Sequence, residues 1–369
     1  MALAPSELMH GLSHPSIIVR DVAMDYFTSS FCEDRNVTTA AIAAVERYGW
    51  RDFVFWPHRF ASLPLNYETV AWVIEQIGRT DREQPTDEIR GHLRRMVTDV
   101  PLEMIANRGP RLLDTVPFTS NERTRIQARM DLVGVAPETC WRRLVKFCKT
   151  MGGETADAAK MAQARLLLEP VARAGYLFDS RISEILAQEN VVEDDALAWL
   201  TGFMLVLAGE LRFDEAVELV YGKFHLDRDW HGEETLVALT RIGSPRVIRV
   251  VRERYADEPW FVRNYVIGVL ENIRSVEALQ TIRALIDLEE DSFLRGQLGY
   301  ALARQFDTGA ADLSRELYWE SPDDLNRDEI RNVLVALSYL TDYHLPELDE
   351  WESKILAEQR EFQRQLSRC

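Results

Sequence analysis

Arg263 and Arg295 fall 32 residues apart at matching places in one stretch, DEPWFVRNYVIGVLENIRSVEALQTIRALIDLEEDSFLRGQLGYALARQF, residues 257–306. It reads as an amphipathic helix, a short turn, a second amphipathic helix, and then the start of the same unit. A period of that size in helical sequence points to stacked helix pairs. Val262, Tyr265, Val266, Val269, Leu270 and Ile273 recur every three or four residues and line one helix face. Val276, Leu279, Ile282 and Ile286 repeat the pattern, and Leu294, Leu298, Ala301, Leu302 and Phe306 begin it again. Each pair has more apolar face than it can bury alone, so it must lean on a neighbour. The expectation is an all-α chain, an α-solenoid of stacked antiparallel helix pairs that is irregular in the middle.

The period carries a local pattern as well. Asp257, Pro259, Val262 and Arg263 form Asp-x-Pro-x-x-Val-Arg, with looser copies at Asp291, Leu294 and Arg295 and at His14, Pro15, Val19 and Arg20. Ile330-Arg331 and Ile89-Arg90 are weaker echoes. On these residues the chain resembles the HEAT-repeat family, in the short bacterial form found in bilin-lyase-like repeats. The match is good over 231–342, fair over 12–80 and poor between. The family contains scaffolds, adaptors and a few enzymes, so the resemblance implies a fold and leaves the task open. The recurring Arg is expected to bind a carboxylate or the carbonyls of the adjacent turn and so set the stacking register.

Three divisions are expected: N-terminal HEAT-like pairs over 1–110, an irregular helical segment over 111–230, and C-terminal HEAT-like repeats with a capping helix over 231–369. Thr119 and Glu122 have capping-box spacing, and Pro137 suits a first helical position. Ser244-Pro245 and Ser321-Pro322 read as helix starts, and Asn36 or Thr38 as the start of the second helix. The last, charged helix over about 346–366 is expected to cover the solenoid's open end. The run ALAWLTGFMLVLAG, residues 196–209, is too short to span a bilayer and reads as a buried helix.

A net charge of −17 over 369 residues repels nucleic acid and anionic membranes at long range. The four cysteines form no CxxC pair, so a zinc framework is missing and reduced, mostly buried thiols are expected. The first residues lack the basic and apolar regions of a secretory signal, so a cytoplasmic setting is expected.

Two stretches stand out as candidate sites. Between Glu88 and Lys149, twelve basic residues face seven acidic ones, leaving +5 against −22 elsewhere. Arg123, Arg125, Arg129, Arg142, Arg143 and Lys146 are the candidate anion-binding residues, either converging on one surface or lying on ordinary solvated helix faces. Around the aromatic stretch 48–60, Trp50, Trp56, His58 and Arg59 are the candidate partner-binding residues, either exposed as a patch or buried as packing. His225 and His231 flank an acidic loop but in no recognised ligand order. Iron-binding HEAT-like enzymes use repeated His-Glu pairs, and this chain has no such dipeptide.

No catalytic or phosphate-binding motif occurs, so no catalytic residue, cofactor or metal is assigned, and activity as an enzyme is left open. The expected function is a protein-binding scaffold or adaptor, with a protein as partner and no membrane. The alternative is an anion- or nucleic-acid-binding protein, glycosylase-like in the sense of some HEAT-like relatives, using the basic island around residues 90–149. A bilin-lyase-like activity would rest on the resemblance alone.

Overall fold

The computed structural model describes residues 2–50, 56–60, 62–79, 85–151, 158–189, 194–226 and 229–366. Among them the chain is all-α, with a single β-bridge between Ala2 and Asp307. The helices are α1 (Pro5–Gly11), α2 (Ile17–Ser29), α3 (Arg35–Tyr48), α4 (Trp56–Phe60), α5 (Tyr67–Gly78), α6 (Asp87–Thr98), α7 (Leu102–Thr115), α8 (Ser120–Met130), α9 (Pro137–Cys148), α10 (Ala158–Arg173), α11 (Asp179–Leu186), α12 (Asp195–Glu210), α13 (Val217–Tyr221), α14 (Asp229–Ile242), α15 (Pro245–Arg254), α16 (Trp260–Asn272), α17 (Val276–Leu288), α18 (Ser292–Ala303), α19 (Ala311–Glu320), α20 (Asp324–Leu340) and α21 (Leu348–Leu366).

Two compact units emerge. Unit 1 joins residues 1–100, 112–122 and 274–369, and unit 2 joins residues 101–111 and 123–273. The divisions expected at 110 and 230 do not coincide with them. Sequence runs continuously through those points, whereas the packing gathers segments from both ends of the chain.

In unit 2, α12 packs on α14 and α14 on α16, with α13 beside α15. Helices two apart in the chain thus stack, as pairs that share their apolar faces must. The apolar run at 196–209 is the centre of this stack: Ala198, Phe203, Met204, Leu205, Leu207 and Ala208 in α12 have no exposed surface. The approach of α14 requires glycine. A Cβ placed on Gly202 would lie 2.0 Å from the Trp230 ring, and one on Gly209 2.9 Å from the Ala238 backbone. Trp230 lies against Trp199 and Phe203, at 4.9 and 5.6 Å between ring centres.

In unit 1, α18 packs on α19 and α20, and α20 on α21. The N-terminal helices also stack on neighbours in the chain, α1 on α3, α3 on α5, α2 on α4 and α4 on α6. In addition α2 packs directly on α20, and α1 on both. Leu3 N donates to Phe306 O at 2.9 Å beside the Ala2–Asp307 bridge. The last helix, α21, packs on α20. Trp351 and Ile355 bury one face of α21, and Gln359 on the same helix donates to Asp21 of α2 at 3.3 Å.

Two of the recurring arginines bind carbonyls as their spacing suggests, while Arg263 lies over the Tyr255 ring at 5.9 Å. Arg20 Nη1 donates to the carbonyls of His14 and Pro15 at 2.9 and 2.8 Å, and Arg295 Nη1 to those of Ile286 and Glu289 at 2.6 and 3.4 Å. Each guanidinium thereby ties its helix to the preceding turn. Thr119 and Glu122 form the capping box, with Thr119 N to Glu122 Oε2 at 2.7 Å and Glu122 N to Thr119 Oγ1 at 3.3 Å. Pro137 and Pro245 open α9 and α15. Two helix starts move. Asp34, not Asn36 or Thr38, caps α3, and Asp323, not Ser321, caps α20. In both places a carboxylate beside the expected residue is the better acceptor for the first free N–H groups.

Candidate binding cleft

A cleft of about 600 Å³ opens within unit 1 between α2, α18, α20 and α21. That volume lies in the range of ligand sites. Helical spacing assembles its walls. Ile18, Asp21, Val22 and Asp25 form an i, i+3, i+4, i+7 stripe on α2, and Ile355, Glu358, Gln359 and Phe362 form the same stripe on α21. Asp328, Glu329, Asn332 and Val333 come from α20, and Tyr300 and Arg304 from the end of α18. The floor is apolar, with Ile18, Phe306, Val333 and Ile355 all buried, while Phe362 at the rim is 40% exposed. Five carboxylates and two guanidiniums line it, so the cleft is electronegative.

The charges are arranged, not merely accumulated. Asp25 lies between Arg304, whose Nη1 pairs with Oδ2, and Arg59, whose Nη2 lies 3.1 Å from Oδ1. Arg304 also donates to Tyr300 Oη at 2.7 Å and to Ser29 Oγ. Burial pushes the Asp25 carboxyl up, but Arg304, Arg59 and Arg274 outweigh it and hold the group below its ordinary range. Across the cleft, the almost fully buried Arg331 holds Glu358 through Nη2 at 2.6 Å and Asp328 through Nη1 at 3.2 Å. Two arginines thus fix Asp25 deep in the cleft. One buried arginine serves two rim carboxylates, and Lys354 Nζ lies 3.9 Å from Glu358 as well.

Of the partner-binding candidates, Arg59 lines this cleft and donates to the Asp21 carbonyl at 3.3 Å. Trp50 is not presented to a partner. It is 5% exposed, lies against Phe60 and Trp72, and donates Nε1 to Gln76 Oε1 at 3.3 Å. His58 is exposed and lies 6.4 Å from the His92 ring, and burial followed by the charge of Arg59 lowers its pKa. The side chain of Trp56 lies outside the described residues.

The basic island does not act as a single set. Arg129 is buried in a bidentate pair with Glu169, with Nη2 2.7 Å from Oε1, and is unavailable to an anion. Arg94 pairs with Glu122 at 3.1 Å. Arg123 and Arg125 on α8 are exposed, as are Arg142, Arg143 and Lys146 on α9. His231 is fully buried, with Nε2 2.9 Å from the Ala198 carbonyl, and His225 pairs with Glu258 at 3.2 Å. Among the described residues, no group of three or more His, Cys, Asp or Glu is placed to hold a metal ion. The thiols of Cys140 and Cys148 are buried and unbridged, and burial raises that of Cys148 to about 12. Among the same residues no helix is long and apolar enough to cross a membrane.

Sequence reasoning found Arg59 but not the cleft. The α2 and α21 stripes mix acidic and apolar residues at helical spacing, which is the signal they offered. No family model and no curated protein matches this chain. Among solved structures it is similar to an engineered protein from the Northeast Structural Genomics Consortium, at 14% identity and a TM-score of 0.31, covering 91% of this chain and 99% of that one. A likeness at that score carries no argument about function.

Proposed function

We propose that this protein is a non-enzymatic, HEAT-like scaffold or adaptor whose unit 1 cleft receives a segment of a partner protein. The observation that supports this reading is the pairing of an apolar floor with an electronegative rim in a cleft of about 600 Å³. Such a surface suits a segment carrying Lys or Arg beside an aliphatic or aromatic residue: the apolar groups are buried and the cation meets the rim. Asp25 is held deep by two guanidiniums, so the incoming cation meets the rim carboxylates Glu329, Asp328 and Glu358, the last two of which it shares with Arg331. The buried thiols of Cys140 and Cys148 favour a reducing, cytoplasmic setting.

The test is a photo-crosslinking amino acid at position 362 in the full chain, followed by sequencing of the captured peptides. The reading expects segments rich in Lys or Arg, and loss of capture when Glu329→Lys is added. Capture of acidic segments, or capture indifferent to Glu329→Lys, overturns it.

A further inference from the structure

Unit 2 carries a surface of the opposite character, on α9 and the turn packed against it. In α9, Cys140, Trp141, Leu144 and Cys148 face inward. Arg142, Arg143, Lys146 and the capping residue Lys149 are all exposed and fall within about 120° of the helix circumference. Glu138, on the same side, is taken up by Arg181 at 2.8 Å. Arg142 bonds only weakly to its own helix, with Nε 3.4 Å from the Glu138 carbonyl. Glu138 is therefore engaged by Arg181 and not by this row of cations.

The turn that stacks on Trp141 of α9 carries an apolar projection. Gly175, at φ +59, begins a 3₁₀ turn over Gly175–Phe178. A left-handed residue there lets the chain reverse without strain. Phe178 points inward and stacks on Trp141 of α9 at 5.2 Å, with Arg181 over both rings at 5.3 and 5.7 Å. The turn is thus fixed to α9. Its two preceding side chains are turned out: Tyr176 is 82% exposed and Leu177 62%. Tyr176 is the most exposed large apolar or aromatic side chain among the described residues. A rigidly mounted Tyr–Leu pair on a turn fixed to the helix with these four cations has the composition of an interaction surface, in which aromatic residues and Arg are enriched.

We propose that the α9 face with Tyr176 and Leu177 docks an acidic peptide segment of a partner, one that carries aliphatic or aromatic residues among its carboxylates. Charge complementarity selects the acidic partner, and the exposed pair selects one with apolar side chains. A long nucleic acid fits less well, because a chain of net charge −17 repels an extended polyanion, while a short segment meets mainly the local field within a Debye length.

The experiment uses the full chain and a fluorescein-labelled synthetic peptide alternating Glu with Leu and Phe, read by anisotropy, with a single-stranded RNA oligonucleotide in parallel. The peptide is expected to bind at low ionic strength and to weaken towards physiological salt. The double variant Lys146→Glu, Lys149→Glu is expected to weaken it by about tenfold or more. Tyr176→Ser with Leu177→Ser should weaken it to a lesser but clear degree. Glu329→Lys with Phe362→Ser, in the unit 1 cleft, should leave it unchanged, which separates this surface from the one proposed above. Unchanged circular dichroism shows that the variants fold. Lack of peptide binding at low salt, binding indifferent to both unit 2 variants, or tighter binding of the RNA overturns the proposal.

Discussion

Unit 1 contains 36 acidic and 21 basic residues, and unit 2 contains 24 and 22, so all but two of the chain's 17 net negative charges belong to unit 1. Their cores differ as well. Unit 2 is organised around α12, an almost wholly apolar helix whose glycines let α14 approach closely. Both units hold buried arginine–carboxylate pairs, Arg129 with Glu169 in unit 2 and Arg331 with Glu358 in unit 1, but unit 1 alone ties its first helices to its last this way, through Asp25 with Arg304. A unit held by shape should fail when its volume is disturbed, and a unit held by charge when a partner is removed or pH falls. The difference teaches that net charge of the whole chain is a poor guide to any one surface of it.

The largest expected effect is on unit 1. Asp25→Ala leaves Arg304 buried without its carboxylate, a change that costs about 3 kcal/mol or more. Hydrogen–deuterium exchange should rise in α2, α18 and α20, while α12 and α14 stay protected. Equal loosening of both sets would break the comparison. Next, Gly202→Ala in unit 2 forces a methyl into the Trp230 ring and should destabilise by about 1–3 kcal/mol. Denaturant unfolding measures this loss, and exchange should then rise in α12 and α14. Removal of the Asn66 side chain, which accepts from Glu68 N and Thr69 N at 2.9 Å each, should cost unit 1 about 1 kcal/mol as Asn66→Ala. Arg364→Ala, which breaks an exposed pair with Glu361, should change stability by less than about 0.5 kcal/mol and serves as the control.

Acid sharpens the same contrast. Burial and neighbouring arginines lower the pKa of His14, His58 and His92, all in unit 1. A depressed histidine pKa means that the unfolded chain takes up the proton first. The associated stability is full above the ordinary histidine value of about 6.5 and is lost as pH falls through the lower folded-state values. Asp25 behaves likewise further down, its contribution full above about 3.9 and lost below. Exchange in α2 and α6 should therefore rise on mild acidification before exchange in α12 does, and an unchanged order would count against charge as the tie in unit 1.

Local features were legible in the sequence. The buried helix at 196–209, the Thr119–Glu122 box and the carbonyl-binding role of Arg20 and Arg295 all follow from interactions within a few residues. The Asp34 and Asp323 caps were missed because a second acceptor stood within two residues of the one expected. The cleft was not legible. Its α2 stripe belongs to an ordinary amphipathic helix, with Val19, Ala23 and Phe27 buried on the other side. What turns Asp25 into part of a site is Arg304, 279 positions away, and no periodicity reports a contact of that range. The aromatic stretch was legible only as a pair of alternatives, and burial settles Trp50 as packing.

The bridge from Ala2 to Asp307 has a consequence during synthesis. The segments of unit 2 are complete once residue 273 has emerged, but α2 cannot meet α20 until residues near 340 are available. The side of α2 that meets α20 must wait, greasy and uncovered, until α20 is made. That interval is long-range closure of the slow kind and a window for aggregation. Until it closes, that face of α2 is a place for a chaperone to shield the nascent chain.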